Sequence, residues 1–182
     1  MNPQFEGLLP YLIAEATTWA ASIEQQFLFK GQRLSPPLQE RLAGFFESSI
    51  IANTMLVFVE AIQPPPFYSE ARKRGIPPYD FASMEGMTFN KCVLVRSRPE
   101  RSQEELVSLC FHELVHVVQY DLLGIAGFMK AYIRGWAEND FIYERIPLEV
   151  TAYKLQERFV RDQTIPFSVR AEVQGALLGI EK

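Results

Sequence analysis

Cysteine and histidine are both scarce here, two of each in 182 residues, and each scarcity excludes something. Cys92 and Cys110 are too few for a disulfide scaffold, so a small stapled secreted fold is ruled out and both thiols are expected to be reduced. Positive charge is not in excess either: 18 Lys and Arg stand against 22 Asp and Glu, giving a net charge of -4 and a pI near 5.3. That balance argues against a broad electrostatic surface for nucleic acid. The most promising apolar stretch, residues 49–61, is shorter than the roughly 18 residues a bilayer span needs and carries Asn53 and Glu60. Met1 to Glu6 show neither the basic start nor the apolar segment of a secretory signal. A soluble, cytoplasmic protein is expected, with no membrane and no nucleic-acid partner.

What is present is core material. Hydrophobic residues make up 48% of the chain and aromatics 13%, enough to fill an interior and to exclude wholesale disorder. The length suits one α+β domain over residues 1–182, with a helical pair over 1–50 and the strands and remaining helices over 51–182. Leu9, Leu12, Ile13, Ala16, Ala20, Ile23 and Phe27 recur at helical spacing, and Gly31 follows as a stop. Ser35-Pro36 opens a second helix with Leu38, Leu42, Phe45 and Phe46 as its stripe. Thr54–Val59 reads as a buried strand, and Met87–Arg96 as a second one. A sheet of about three strands is expected. Between those two runs, residues 63–86 read as a Pro- and Gly-rich loop, with Arg72-Lys73-Arg74 as a solvated turn.

Ser102-Gln103-Glu104-Glu105 is a capping box, the clearest helix start in the chain. The helix it opens runs to Leu123 and stops at Gly124, apolar on nearly every side and so buried in the middle of the fold. A short helix over 127–138 follows, with Phe128, Tyr132, Ile133 and Trp136 inward. Pro147 opens another to about Asp162, and a last helix covers 168–179.

Both histidines fall in one pentapeptide, His112-Glu113-Leu114-Val115-His116, in the middle of the capped helix. Spacing i, i+4 stacks the two imidazoles on one face, about 6 Å apart, where both can address one ion. With two His and eighteen Glu, chance would give this pattern about once in a thousand shuffles of the template. The bland alternative is a pair of satisfied core histidines. Burying two imidazoles and a carboxylate uncompensated costs several kcal/mol, however, and a metal supplies the compensation.

No third histidine exists, so the third ligand must be of another kind. Cys110 points away from the shared face, and Cys92 can approach only if its strand crosses the site. Glu149 is the best candidate: it lies in the first turn of the Pro147 helix, on a face with Ala152, Tyr153 and Gln156. Small Ala152 would let that helix come close. Glu144 and Asp140 are the reserves.

These residues, from Phe111 to Tyr120 together with Ile146 to Tyr153, resemble the zincin metallopeptidases of the gluzincin type and small bacterial zincin-like proteins. The likeness covers about residues 53 to 160 and leaves the front helices outside. It implies a zincin-like fold, a Zn²⁺ ion on His112, His116 and Glu149, and Glu113 as general base. It further implies hydrolysis of a peptide or protein substrate, paired with the strand around residues 88–95. Thermolysin-like enzymes carry an Asp four residues after the ligand Glu; Tyr153 stands there instead, so His112 needs another partner. Tyr143, Tyr153, Tyr120 and Arg145 are the candidates to stabilise an oxyanion, with Tyr143 and Tyr153 preferred. The competing readings are a zinc-binding module without turnover and a helical interaction protein whose motif is incidental.

Overall fold

The computed structural model describes residues 3–180. In chain order it contains α1 (Pro3–Glu6), α2 (Leu9–Phe27), β1 (Gln32–Arg33), α3 (Pro36–Leu42), α4 (Ser48–Asn53) and β2 (Met55–Val59). These are followed by α5 (Tyr68–Lys73), β3 (Gly86–Phe89), β4 (Cys92–Arg96), α6 (Gln103–Glu138), α7 (Pro147–Arg161) and α8 (Val169–Ile180). The fold is mixed α and β, mostly helical, around a four-stranded sheet.

The sheet runs β1-β2-β4-β3, with β2 and β4 parallel and the two outer pairs antiparallel. Four strands replace the three expected, for two reasons. Met87–Arg96 is not one strand but a hairpin: the chain reverses at Asn90-Lys91, with Asn90 at φ 53, a left-handed conformation that Asn tolerates. The two-residue β1 carries no pattern that a sequence could show. Residues 63–86 are likewise more ordered than a loop. They hold α5 and a 3₁₀ turn at Phe81–Ser83, and Arg72-Lys73-Arg74 forms the exposed end of α5, where Lys73 and Arg74 pair with Glu70. Helix α4 also went unanticipated, and Phe45 and Phe46 lie beyond the end of α3, buried all the same.

Strand β4 is buried on both faces, which is why it reads as a continuous apolar run. Its alternate residues serve two cores. Val93 and Val95 join Phe111, Leu114, Leu155 and Phe159 on one side; Cys92 and Leu94 join Ala16, Ala20 and Phe89 on the other. Helix α6 starts at the expected capping box, with Ser102 accepting from the Glu105 N–H and Glu105 reaching back to the Ser102 N–H. It breaks at Gly124, φ 67, so two limbs meet at an angle where the sequence placed a stop. By length and composition α6 could cross a membrane, but 67% of its most apolar window is buried in this fold. The first limb lies between sheet and α7, and every residue from Cys110 to Tyr120 is buried. The front helix α2 packs on both α6 and β3. The expected front pair is split between the two cores: α2 gives Ala16 and Ala20 to one, and α3 gives Leu38 and Leu42 to the other.

Candidate metal centre

The i, i+4 spacing on α6 brings the two histidine rings to 4.9 Å between centroids, and their Nε2 atoms to 3.1 Å. Glu149, in the first turn of α7 behind Pro147, directs Oε2 to 3.2 Å from His112 Nε2 and 3.3 Å from His116 Nε2. Ala152, fully buried one turn on, permits this approach of α7 to α6, as its small size suggested. His112, His116 and Glu149 are the group among the described residues whose donor atoms converge in the manner of a metal site. The reserves, Asp140 and Glu144, are exposed and stand outside it. Cys92 and Cys110 are outside it too, packed as thiols whose pKa burial pushes up to about 12.

The proton inventory shows what this triangle lacks. His112 Nδ1 donates to Gln156 Oε1 at 3.2 Å, and Gln156 Nε2 donates to the Ser108 carbonyl at 3.0 Å. His116 Nδ1 donates to Gln119 Oε1 at 2.8 Å, and Gln119 Nε2 donates to the Leu148 carbonyl at 2.9 Å. Each glutamine amide is oriented by a carbonyl that can only accept, so each Nδ1 must carry its ring's hydrogen and each neutral Nε2 presents a lone pair. Glu149 Oε1 accepts from the Tyr132 hydroxyl at 2.7 Å, while its Oε2 is buried without a hydrogen-bond donor. With both rings neutral, three acceptors face one another within 3.3 Å. The local field calls for positive charge. Burial opposes protonation of His116, yet Glu149 overrides it and lifts the pKa to about 9. Against the same burial, the histidines hold the Glu149 carboxyl well below the usual carboxylate range.

Size fits as well as charge. A tetrahedral ion with bonds of about 2.0–2.1 Å has donor–donor edges of about 3.3–3.4 Å. The triangle here has edges of 3.1, 3.2 and 3.3 Å. A buried two-histidine, one-carboxylate face with these edges suits a divalent ion of that size.

Glu113 belongs to the neighbourhood but not to the triangle. It is 4% exposed, and its Oε2 accepts from the Thr88 hydroxyl of β3 at 2.7 Å. Burial holds its carboxyl above the usual carboxylate range, against the pull of the histidines. Gly86 of β3 packs flat on this carboxylate: a Cβ there would lie 2.8 Å from Glu113 Cδ and closer still to Oε1. Strand β3, at the free edge of the sheet, thus frames Glu113 with a residue that has no side chain and a residue that donates.

A cleft of about 140 Å³ opens beside this group, with Glu113, His116, Glu149, Thr88 and Tyr143 in its wall. Tyr143 therefore faces the cleft. Tyr153 does not line it; its ring lies 4.6 Å from that of His112 and is 44% exposed. Burial keeps both phenols protonated, above their ordinary pKa.

Sequence reasoning missed Gln119, Thr88 and Gly86, and gave neither Gln156 nor Tyr132 a role at the site. Gln119 did carry a signal, an amide inside the apolar run Val117-Val118-Gln119-Tyr120 at three residues from His116. Gln156 lies two turns after Glu149 on the same helix face. Thr88 and Gly86 carried none, because only the hairpin register turns them toward α6.

Compared with protein-family profiles, with curated proteins and with solved structures, the chain matches none.

Proposed function

We propose that this protein is a zincin-like, zinc-dependent hydrolase of peptide bonds, with His112, His116 and Glu149 as metal ligands and Glu113 as general base. The observation that carries the reading is the placement of Glu113. A purely structural metal site has no use for a second buried carboxylate, outside the donor triangle and turned to a cleft. That argues against the alternative of a zinc-binding module without turnover.

Bound at the triangle, zinc would supply Lewis acidity toward a substrate carbonyl and toward water. The chain's own residues do the rest. Glu113 takes the proton of the attacking water and returns it to the departing amine, a role helped by a carboxyl pKa raised toward neutrality. Thr88 and Gly86 hold that carboxylate in one place, as a proton carrier needs. Gln156 and Gln119 keep both Nε2 lone pairs pointed at the ion. Tyr143 is the better placed of the two phenols to donate to a developing oxyanion, since it lines the cleft. The edge position of β3 suits it to pair with an extended peptide.

The test is Glu113→Gln in the purified protein, with metal content and digestion of a peptide library read together. Metal is expected to stay at the wild-type level while turnover falls by at least about 10²-fold. Turnover equal to wild type would remove Glu113 from the chemistry.

A further inference from the structure

Tyr132 differs from the other groups at the metal centre in coming from beyond the break in α6. Gly124 holds φ 67 and ψ 168, a combination essentially confined to glycine, while a Cβ there would meet nothing within 4 Å. Space does not demand glycine at this position; the backbone turn does. Past the turn, Phe128 lies flat on Tyr120 of the first limb, with ring centroids 3.7 Å apart at 10°. Tyr132 stacks in turn on Phe128, at 5.6 Å and 22°. The His116 ring stands perpendicular to Phe128 at 6.0 Å. A stack of three rings thus leads from the limb that carries both histidines to the Tyr132 hydroxyl, which donates to Glu149 Oε1 at 2.7 Å.

A carboxylate can bind an ion through one oxygen or through both. Here the two oxygens of Glu149 have separate partners. Tyr132 occupies Oε1, and Oε2 alone faces the Nε2 atoms of His112 and His116. Zinc at a reactive site takes three protein donors and one more, whereas manganese prefers six donors rich in oxygen.

We propose that Tyr132 is the positioning residue that limits Glu149 to a single donor oxygen, and so sets the preference of the site for a small four-coordinate ion such as Zn²⁺ over a six-coordinate ion such as Mn²⁺. The inference rests on the metal-binding part of the reading above and not on hydrolysis. Without the hydroxyl, Oε1 becomes a buried acceptor that has lost its donor, a costly state, and a bound ion is the positive group within its reach. A second oxygen turned to the ion adds a coordination position that manganese uses and four-coordinate zinc does not.

Tyr132→Phe keeps the ring and removes only the hydroxyl. Wild type and variant are stripped of metal, and the affinity for each ion is measured separately, zinc by chelator competition and manganese by the paramagnetic resonance of the free ion. Zinc affinity is expected to fall about 10–100-fold while manganese affinity is held or gained, so that the zinc-to-manganese ratio drops at least about tenfold. Cobalt(II), loaded in place of zinc, reads the same change directly: its visible absorption is strong when four-coordinate and should weaken in the variant. Phe128→Leu keeps the hydroxyl and loosens the stack that holds it, and is expected to shift the ratio in the same direction by less. Should Tyr132→Phe not fold, Phe128→Leu carries the test. An equal fold-loss for both ions with an unaltered cobalt spectrum would overturn the proposal, because a hydroxyl that only braces the fold weakens every ion alike. Wild-type protein that binds neither zinc nor manganese would overturn the metal reading as well. Tight zinc binding in the wild type with an unchanged ratio in the variant would leave that reading standing and remove only the role of Tyr132.

Discussion

The two ends of the cleft are built on opposite principles. At the metal end the hydrogens are assigned: both Nδ1 atoms go to glutamines, Tyr132 to Glu149 Oε1, Thr88 to Glu113. What is left over is a set of lone pairs aimed at one point. At the other end, walled by α2 and the second limb of α6, the lining is largely hydrocarbon. The difference teaches that the donor geometry and the apolar lining are separable in this fold. Side chains locked by outer partners hold the donor group in one geometry. Apolar walls from α2 and the 63–86 segment can change a ligand's fit without touching a ligand of the metal.

That separation can be broken at its strongest point first. Glu149→Ala removes one of three donors, and metal retention is expected to fall by more than about 100-fold, beyond the usual loss for an outer-shell change. Cys92→Ala, outside the group, is expected to retain metal as wild type does. Equal loss in both variants, measured by elemental analysis after dialysis, would place the third ligand elsewhere. Gly86→Ala is the next largest: the new methyl meets the Glu113 carboxylate and must push it from its seat on Thr88. A misplacement of about 1 Å costs about 10²-fold in turnover, and metal content should not change. Full activity in that variant would show that the Glu113 position is not critical. Gln119→Ala sharpens the comparison by loosening one ring only. It frees the His116 tautomer and strands the Leu148 carbonyl, so metal affinity in a chelator competition should drop about 10–100-fold. No change in affinity would mean that the glutamines are packing rather than positioning residues.

Much of the donor group was legible in the sequence. His112, Glu113 and His116 follow from one local spacing, and Glu149 from its place behind Pro147 together with small Ala152. The capping box at Ser102 and the break at Gly124 are equally local and were equally readable. What stayed hidden depends on contacts between distant segments. The hairpin at Asn90-Lys91 was masked because β4 is buried on both faces and shows no alternation to mark where a strand ends. Gly86 and Thr88 acquire meaning only from that hairpin, whose register turns Thr88 toward Glu113. The front helix α2 lay outside every recognisable motif, yet it supplies Leu12, Ala16 and Trp19 to the cleft.

The most direct measurement is the metal content of the wild-type protein purified without added metal, set beside that of a His112→Ala, His116→Ala double variant. One equivalent of zinc per chain in the wild type and none in the double variant is the predicted result. A folded wild-type protein that binds no divalent metal, even after incubation with excess zinc, would contradict it.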